Sequence, residues 1–158
     1  MTGKIRVIIF KEEGVFMEEK ERILVPLDGS ACAEIIIPKV EELAERNEEG
    51  ICLLRVALAH TFPGVDQTEA QVEVVREAEE YLHGVEGRLK AKGFDVDAHV
   101  RYGDEVEEIL EHAAQKEIGL IAMSTRRHKG IRHFFGGCLA EKILHRAPKP
   151  FFLVQCDG

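Results

Sequence analysis

The sequence predicts an α/β protein built on a five-stranded parallel sheet with helices on both faces, a three-layer α/β/α sandwich, and three observations lead there. Apolar runs at 23–27, 51–56 and 119–123 lack the alternation of a half-exposed strand, so they read as strands covered on both sides. Stretches with apolar residues at helical spacing, 31–46, 68–92 and 105–116, lie between them. The resulting β, α, β, α order implies right-handed crossovers and a parallel sheet, in which ligands sit at the carboxyl ends of the strands.

Taken in chain order, residues 1–16 fall outside this scheme: 4–10 could form an added edge strand with a turn at 11–14, or Met17 is the physiological start, leaving 17–158 as the domain. The first strand runs into Asp28 in Val25-Pro26-Leu27-Asp28-Gly29-Ser30. The helix over 31–46 contains Pro38, which removes a hydrogen bond and predicts one bent helix, at a cost of roughly 3 kcal/mol if uncompensated. The helix over 68–92 is rich in Glu and Arg on its presumed outer face. Residues 94–102 alternate Phe94, Val96, Ala98, Val100 and Tyr102 with Asp95, Asp97, His99 and Arg101, which predicts a strand exposed on one side, towards a sheet edge. Gly103 and Asp104 turn the chain into the next helix. A fourth helix over 137–146 is stopped by Pro148, and Pro150 introduces the last strand at 151–154.

At 158 residues the chain fits one domain, and 45% hydrophobic with 32% charged residues places it among globular proteins. No apolar run approaches the roughly 20 residues that span a bilayer, so no membrane partner is expected. Glu12 and Glu13 follow the apolar start where a signal peptide would need small residues, which reads as a cytoplasmic chain. A net charge of −8 argues against general nucleic-acid binding. Cys32, Cys52, Cys138 and Cys156 lie far apart with no C-x-x-C pair and no finger-like histidine spacing. That predicts reduced, mostly buried thiols, with neither a disulfide framework nor a metal site. High Glu, Lys and Arg content without Trp suits a heat-adapted source.

Residues 123–142 carry the clearest chemistry. Arg126, Arg127, Lys129 and Arg132 form a basic island in an acidic chain, and Gly136 and Gly137 precede a helical pattern. A strand, a glycine-bearing loop and a helix N-terminus together offer free backbone N–H groups and a positive dipole end to a phosphate. Asp28 and Ser124 both fall at strand ends, where Asp28 either caps a helix or accepts hydrogen bonds from ribose hydroxyls. Neither the P-loop nor the dinucleotide fingerprint occurs. His60, His128 and His133 have no Ser or Cys nucleophile at a recognisable elbow, and Cys138 reads as either a reactive thiol or a small packed residue. Binding without turnover is therefore the expectation.

Residues 23–30, the Leu53-Leu54-Arg55-Val56 strand, Val100-Arg101-Tyr102-Gly103 before a helix, and 123–154 resemble the universal stress protein family over about residues 22–155. The closing pattern Gly137-Cys138-Leu139-Ala140-Glu141-Lys142-Ile143, then Ala147-Pro148 and Phe152-Leu153-Val154, is specific to it. The resemblance implies an adenine-nucleotide alpha-hydrolase-like fold and a homodimer formed through the last strand, residues 151–155. Nucleotide-binding members hold ATP with a strand-one aspartate, a valine ending the second strand, and a loop of the form G-x-x-G-x9-G-[ST]. Asp28 and Val56 match the first two. Aligned on Met123 and Gly137, the loop has Ser124 and Arg127 at the first two glycine positions, Gly137 at the third, and Cys138 for Ser or Thr. The implied site is Pro26, Leu27, Asp28, Val56, Met123, Ser124, Arg126, Arg127, Gly137, Cys138 and Leu139, with guanidinium forks at 126 and 127 standing in for lost backbone donors. Its implied function is a stress-response regulator that binds ATP or another adenine nucleotide. The alternatives are a nucleotide-independent dimeric interaction module and, third, a very slow nucleotide hydrolase.

Overall fold

A computed structural model of the chain describes residues 21–58, 67–126 and 138–156. The expectations for residues 1–16 lie outside that set. In chain order the elements are β1 (Arg22–Pro26), α1 (Ala31–Glu34), α2 (Ile37–Asn47), β2 (Gly50–Ala57), α3 (Gln67–Ala91), β3 (Val96–Tyr102), α4 (Glu105–Ala113), β4 (Ile118–Arg126), α5 (Leu139–Arg146) and β5 (Phe151–Cys156). The five strands form one sheet in the order β3-β2-β1-β4-β5, and every neighbouring pair is parallel. From β1 the chain builds outward to β2 and β3, then crosses back to add β4 and β5 on the other side. The strand order therefore reverses between β1 and β4, and the crevice above their carboxyl ends is where an open α/β sheet takes a ligand.

The apolar runs are buried on both sides, as their lack of alternation predicts. Ile23, Val25, Ile51 and Leu53 face α2 and α3 and pack on Ile36, Val40, Leu82, Val85 and Leu89. Leu24, Leu54, Ile118 and Ile121 face the opposite way, towards Ile109, Ala113 and Ile143 of α4 and α5. Each fully buried aliphatic side chain contributes about 1.5–3 kcal/mol, so continuous runs stabilise the central strands from both faces. Among the described residues no helix is long and apolar enough to cross a membrane.

The structure departs from the sequence reading in four places. The bent helix over 31–46 is two helices. Ile35 N–H donates back to the Cys32 carbonyl as α1 ends, and buried Ile36 caps α2. Pro38 thus lies in the first turn of α2, where a missing N–H costs no intrahelical bond. Cys32 and Cys156 are joined in a disulfide with Cα atoms 5.7 Å apart, against the expectation of reduced thiols; parallel pairing carries the end of β5 to the level of Arg126, beside α1. β4 runs through to Arg126, so Ser124 sits inside the strand and not at its end. Finally, β3 is the edge strand as expected, yet His99 on its polar side is half-buried, 5.0 Å ring to ring from His112 of α4.

Candidate functional site

The first wall is the exit of β1. Leu27 extends the strand by donating its N–H to the Leu54 carbonyl at 2.8 Å. Gly29 then takes φ +86°, a left-handed turn in which an added Cβ would lie 2.8 Å from Arg55 Nη1. The turn lets Asp28 Oδ1 accept the Ser30 N–H at 2.8 Å while Ser30 Oγ accepts the Ala33 N–H at 3.1 Å and caps α1. Capping therefore belongs to Ser30. Asp28 itself is exposed, and its second carboxylate oxygen has no partner among the described residues.

Beneath this turn Arg55 stacks 4.9 Å from the Tyr81 ring centroid, and Tyr81 donates its hydroxyl to Glu34 Oε1 at 3.0 Å. Burial, reinforced by that bond to Glu34, pushes the Tyr81 hydroxyl well above its ordinary pKa, so it remains a donor. Arg88 adds a 2.7 Å bond to the other Glu34 oxygen, fixing the end of α1 against α3.

The second wall is the exit of β4 with the start of α5. Buried Met123 anchors it. Ser124 donates its hydroxyl to the Cys32 carbonyl at 2.5 Å, and Thr125 Oγ1 lies 3.5 Å from Cys138 Sγ. Arg126 is exposed at the strand end. Cys138 is the N-cap residue of α5 but makes no side-chain capping bond; its carbonyl accepts from Glu141 and Lys142 at 3.0 and 3.1 Å. The Leu139 and Ala140 N–H groups at the start of α5 have no intrahelical acceptor, and they lie at the positive end of the helix dipole.

The third wall comes from α4. Asp104 caps it by accepting the Glu107 N–H at 3.1 Å, and Glu105 and Ile109 then line the cavity. Burial, followed by the neighbouring charges of Asp28 and Asp104, raises the Glu105 carboxyl above its ordinary pKa. The three walls enclose a cleft of about 220 Å³ at the switch point, with Leu54, Val56 and Ala33 as apolar lining.

Of the residues singled out from the sequence, Pro26, Leu27, Asp28, Val56, Met123, Ser124, Arg126, Cys138 and Leu139 all line this cleft. Arg127 and Gly137 lie outside the described residues, as do Lys129, Arg132, Gly136, His60, His128 and His133. Ser30, Cys32, Ala33, Leu54, Glu105, Ile109, Thr125 and Ala140 also line it and were not singled out. Thr125 and Ala140 were within reach as neighbours of chosen positions. Only Gly103 and Asp104 separate Glu105, which opens a helix, from the end of β3, a signal that position alone could have given. Among the described residues, the one group of His, Cys or acidic side chains close enough to share a metal ion is Cys52, His99 and His112, between β2, β3 and α4, none of which lines the cleft.

The model of the universal stress protein family matches residues 20–155. A universal stress protein of Methanothermobacter thermautotrophicus is 28% identical over 148 residues, covering 88% of this chain and 98% of its own length. The solved structure of MJ0577, a universal stress protein of Methanocaldococcus jannaschii, superposes with a TM-score of 0.74 at 23% identity, covering 89% of this chain and 99% of that one. A universal stress protein from Archaeoglobus fulgidus, solved in complex with dAMP, gives a TM-score of 0.62 at 18% identity, covering 87% and 99%.

Proposed function

Because the chain belongs to the universal stress protein family, we propose that it is a stress-response regulatory protein that binds an adenine nucleotide in the cleft between β1, β4 and α5. It acts by binding, as a cytoplasmic homodimer, and not by turnover. The observation that carries this reading is the opposition, across one cleft, of a carboxylate and an uncapped helix N-terminus. Leu27, Leu54 and Val56 offer apolar surface to a purine, and the uncommitted Asp28 oxygen accepts from ribose hydroxyls. The Leu139 and Ala140 N–H groups of α5 and the exposed Arg126 take the phosphate. The dAMP complex of the Archaeoglobus fulgidus relative supports an adenine ligand. Dimerisation through residues 151–155 is supported by the place of β5, which among the described residues is the last strand on its side of the sheet.

Calorimetric titration with ATP, ADP, AMP and cyclic AMP tests the proposal. At least one nucleotide is expected to bind in the micromolar range, and Asp28→Ala to weaken it at least about tenfold, the worth of one hydrogen bond to a charged group. Absence of binding below millimolar concentration rejects it. One observation favours a second reading, a nucleotide-independent interaction module: Ser124, at a loop-glycine position, has its hydroxyl committed to the Cys32 carbonyl. A nucleotide retained through purification would exclude that alternative.

A further inference from the structure

Under α4, on the β3 side of the sheet, Cys52, His99 and His112 converge so that one donor atom from each lies within 4.8 Å of the other two. We propose that these three side chains bind a single divalent transition-metal ion of the zinc class through one thiolate and two imidazoles.

Register and period bring the ligands together. Cys52 pairs with Asp97, and Leu54 with His99, so residues 52, 54, 97 and 99 share one face of the sheet. That face is covered by α4, whose Ile109 and Ala113 pack into the core and whose His112 is only 3% exposed. A histidine so placed needs partners for both ring nitrogens. Nε2 has Cys52 Sγ at 3.3 Å, whereas Nδ1 has none among the described residues. Nε2 is therefore the ring nitrogen that faces the thiol, and it is the atom through which His112 would hold an ion shared with Cys52.

The dimensions suit the ion. With Zn–S near 2.3 Å and Zn–N near 2.0 Å, ligand atoms on a tetrahedron stand about 3.3–3.6 Å apart. Cys52 and His112 already meet that spacing. Closing the widest gap needs a shift of about 1 Å, which rotation of the half-buried His99 at the sheet edge can supply. Soft thiolate and imidazole donors select zinc-like ions over magnesium or calcium, and three protein ligands leave a fourth position for water.

An ion bound here displaces the Cys52 thiol proton, because the ligand is the thiolate. Arg22 and Arg101 oppose Asp97 and Glu117 around the thiol, leaving no single-sign field against a cation. The ion would clamp the edge strand to α4, whose Ile109, three residues before His112, lines the nucleotide cleft. The site does not depend on whether a nucleotide binds there.

The test is titration of the full-length, chelator-treated protein with Co²⁺, followed by displacement with Zn²⁺. One equivalent is expected, with a thiolate-to-cobalt charge-transfer band in the near ultraviolet. The band should vanish in Cys52→Ala and persist in Cys138→Ser. Binding should weaken at least about tenfold in His99→Ala, a half-buried edge substitution whose folding circular dichroism can verify. Zn²⁺ should raise the melting temperature of the wild type and not of His99→Ala. No band in the wild type, a band unchanged in Cys52→Ala, or equal thermal shifts in the wild type and His99→Ala would overturn the proposal.

Discussion

Glu105 and Asp28 bring two carboxylates to a cleft whose far wall is an uncapped helix N-terminus, and their mutual repulsion has a measurable consequence. Burial, Asp28 and Asp104 raise the Glu105 pKa above its value of 4.5 in the unfolded chain. Well below pH 4.5 the carboxyl is protonated in both states and contributes no pH dependence. As pH rises past 4.5 the unfolded chain ionises first, so stability falls until the folded carboxyl ionises too. Glu105→Gln removes that loss. Its melting temperature at pH 7 should exceed the wild type's by about 1–3 °C, and the gain should shrink to nothing well below pH 4.5 in a scanning calorimetry series. A constant difference across pH would show that the amide acts through packing and not through charge. At this scale the sequence was informative about Asp28, because a carboxylate at a βα boundary is placed by topology. It was silent about the pairing of Asp28 with Glu105, because that depends on how closely α4 approaches β1.

Between elements, Pro38 separates two arrangements with opposite signs. In one kinked helix, replacing it with alanine would stabilise the protein by roughly 3 kcal/mol. In the first turn of a separate α2 the missing N–H is never needed, while the ring still restricts the unfolded chain. Pro38→Ala is therefore expected to destabilise by about 0.4–1 kcal/mol in urea unfolding. The sequence could not distinguish these arrangements, because Ile35, Ile36 and Ile37 satisfy any helical phase and the break is a local backbone bond at Ile35. The strands were easier to read, since burial on both faces leaves apolar runs that no helix surface tolerates. Where they ended was harder: β4 continues to Arg126 because β5 pairs with it that far. The cleft follows the same division. Residues at the ends of β1, β2 and β4 were visible as strand exits, whereas Ile109 and Cys32 became visible only when helices docked on the sheet.

For the whole molecule, the Cys32–Cys156 disulfide joins the first helix to the last strand across 124 residues of sequence. Spacing could not reveal it, because neither cysteine has a near partner and only the parallel order β1-β4-β5 brings them to one end of the sheet. A cross-link closing so long a loop removes loop-closure entropy from the unfolded chain, and the chain-entropy model puts its contribution at up to about 5 kcal/mol. Reducing agent should therefore lower the urea midpoint of the wild type substantially. Cys32→Ser, at a half-buried position, should reproduce the reduced midpoint and show no further response to reductant. The denaturant dependence should steepen in both, because an uncrosslinked chain exposes more surface on unfolding. If the wild-type midpoint were unmoved by reduction, the hydrogen bond from Ser124 to the Cys32 carbonyl and the core beneath it would be holding α1 in place without the cross-link.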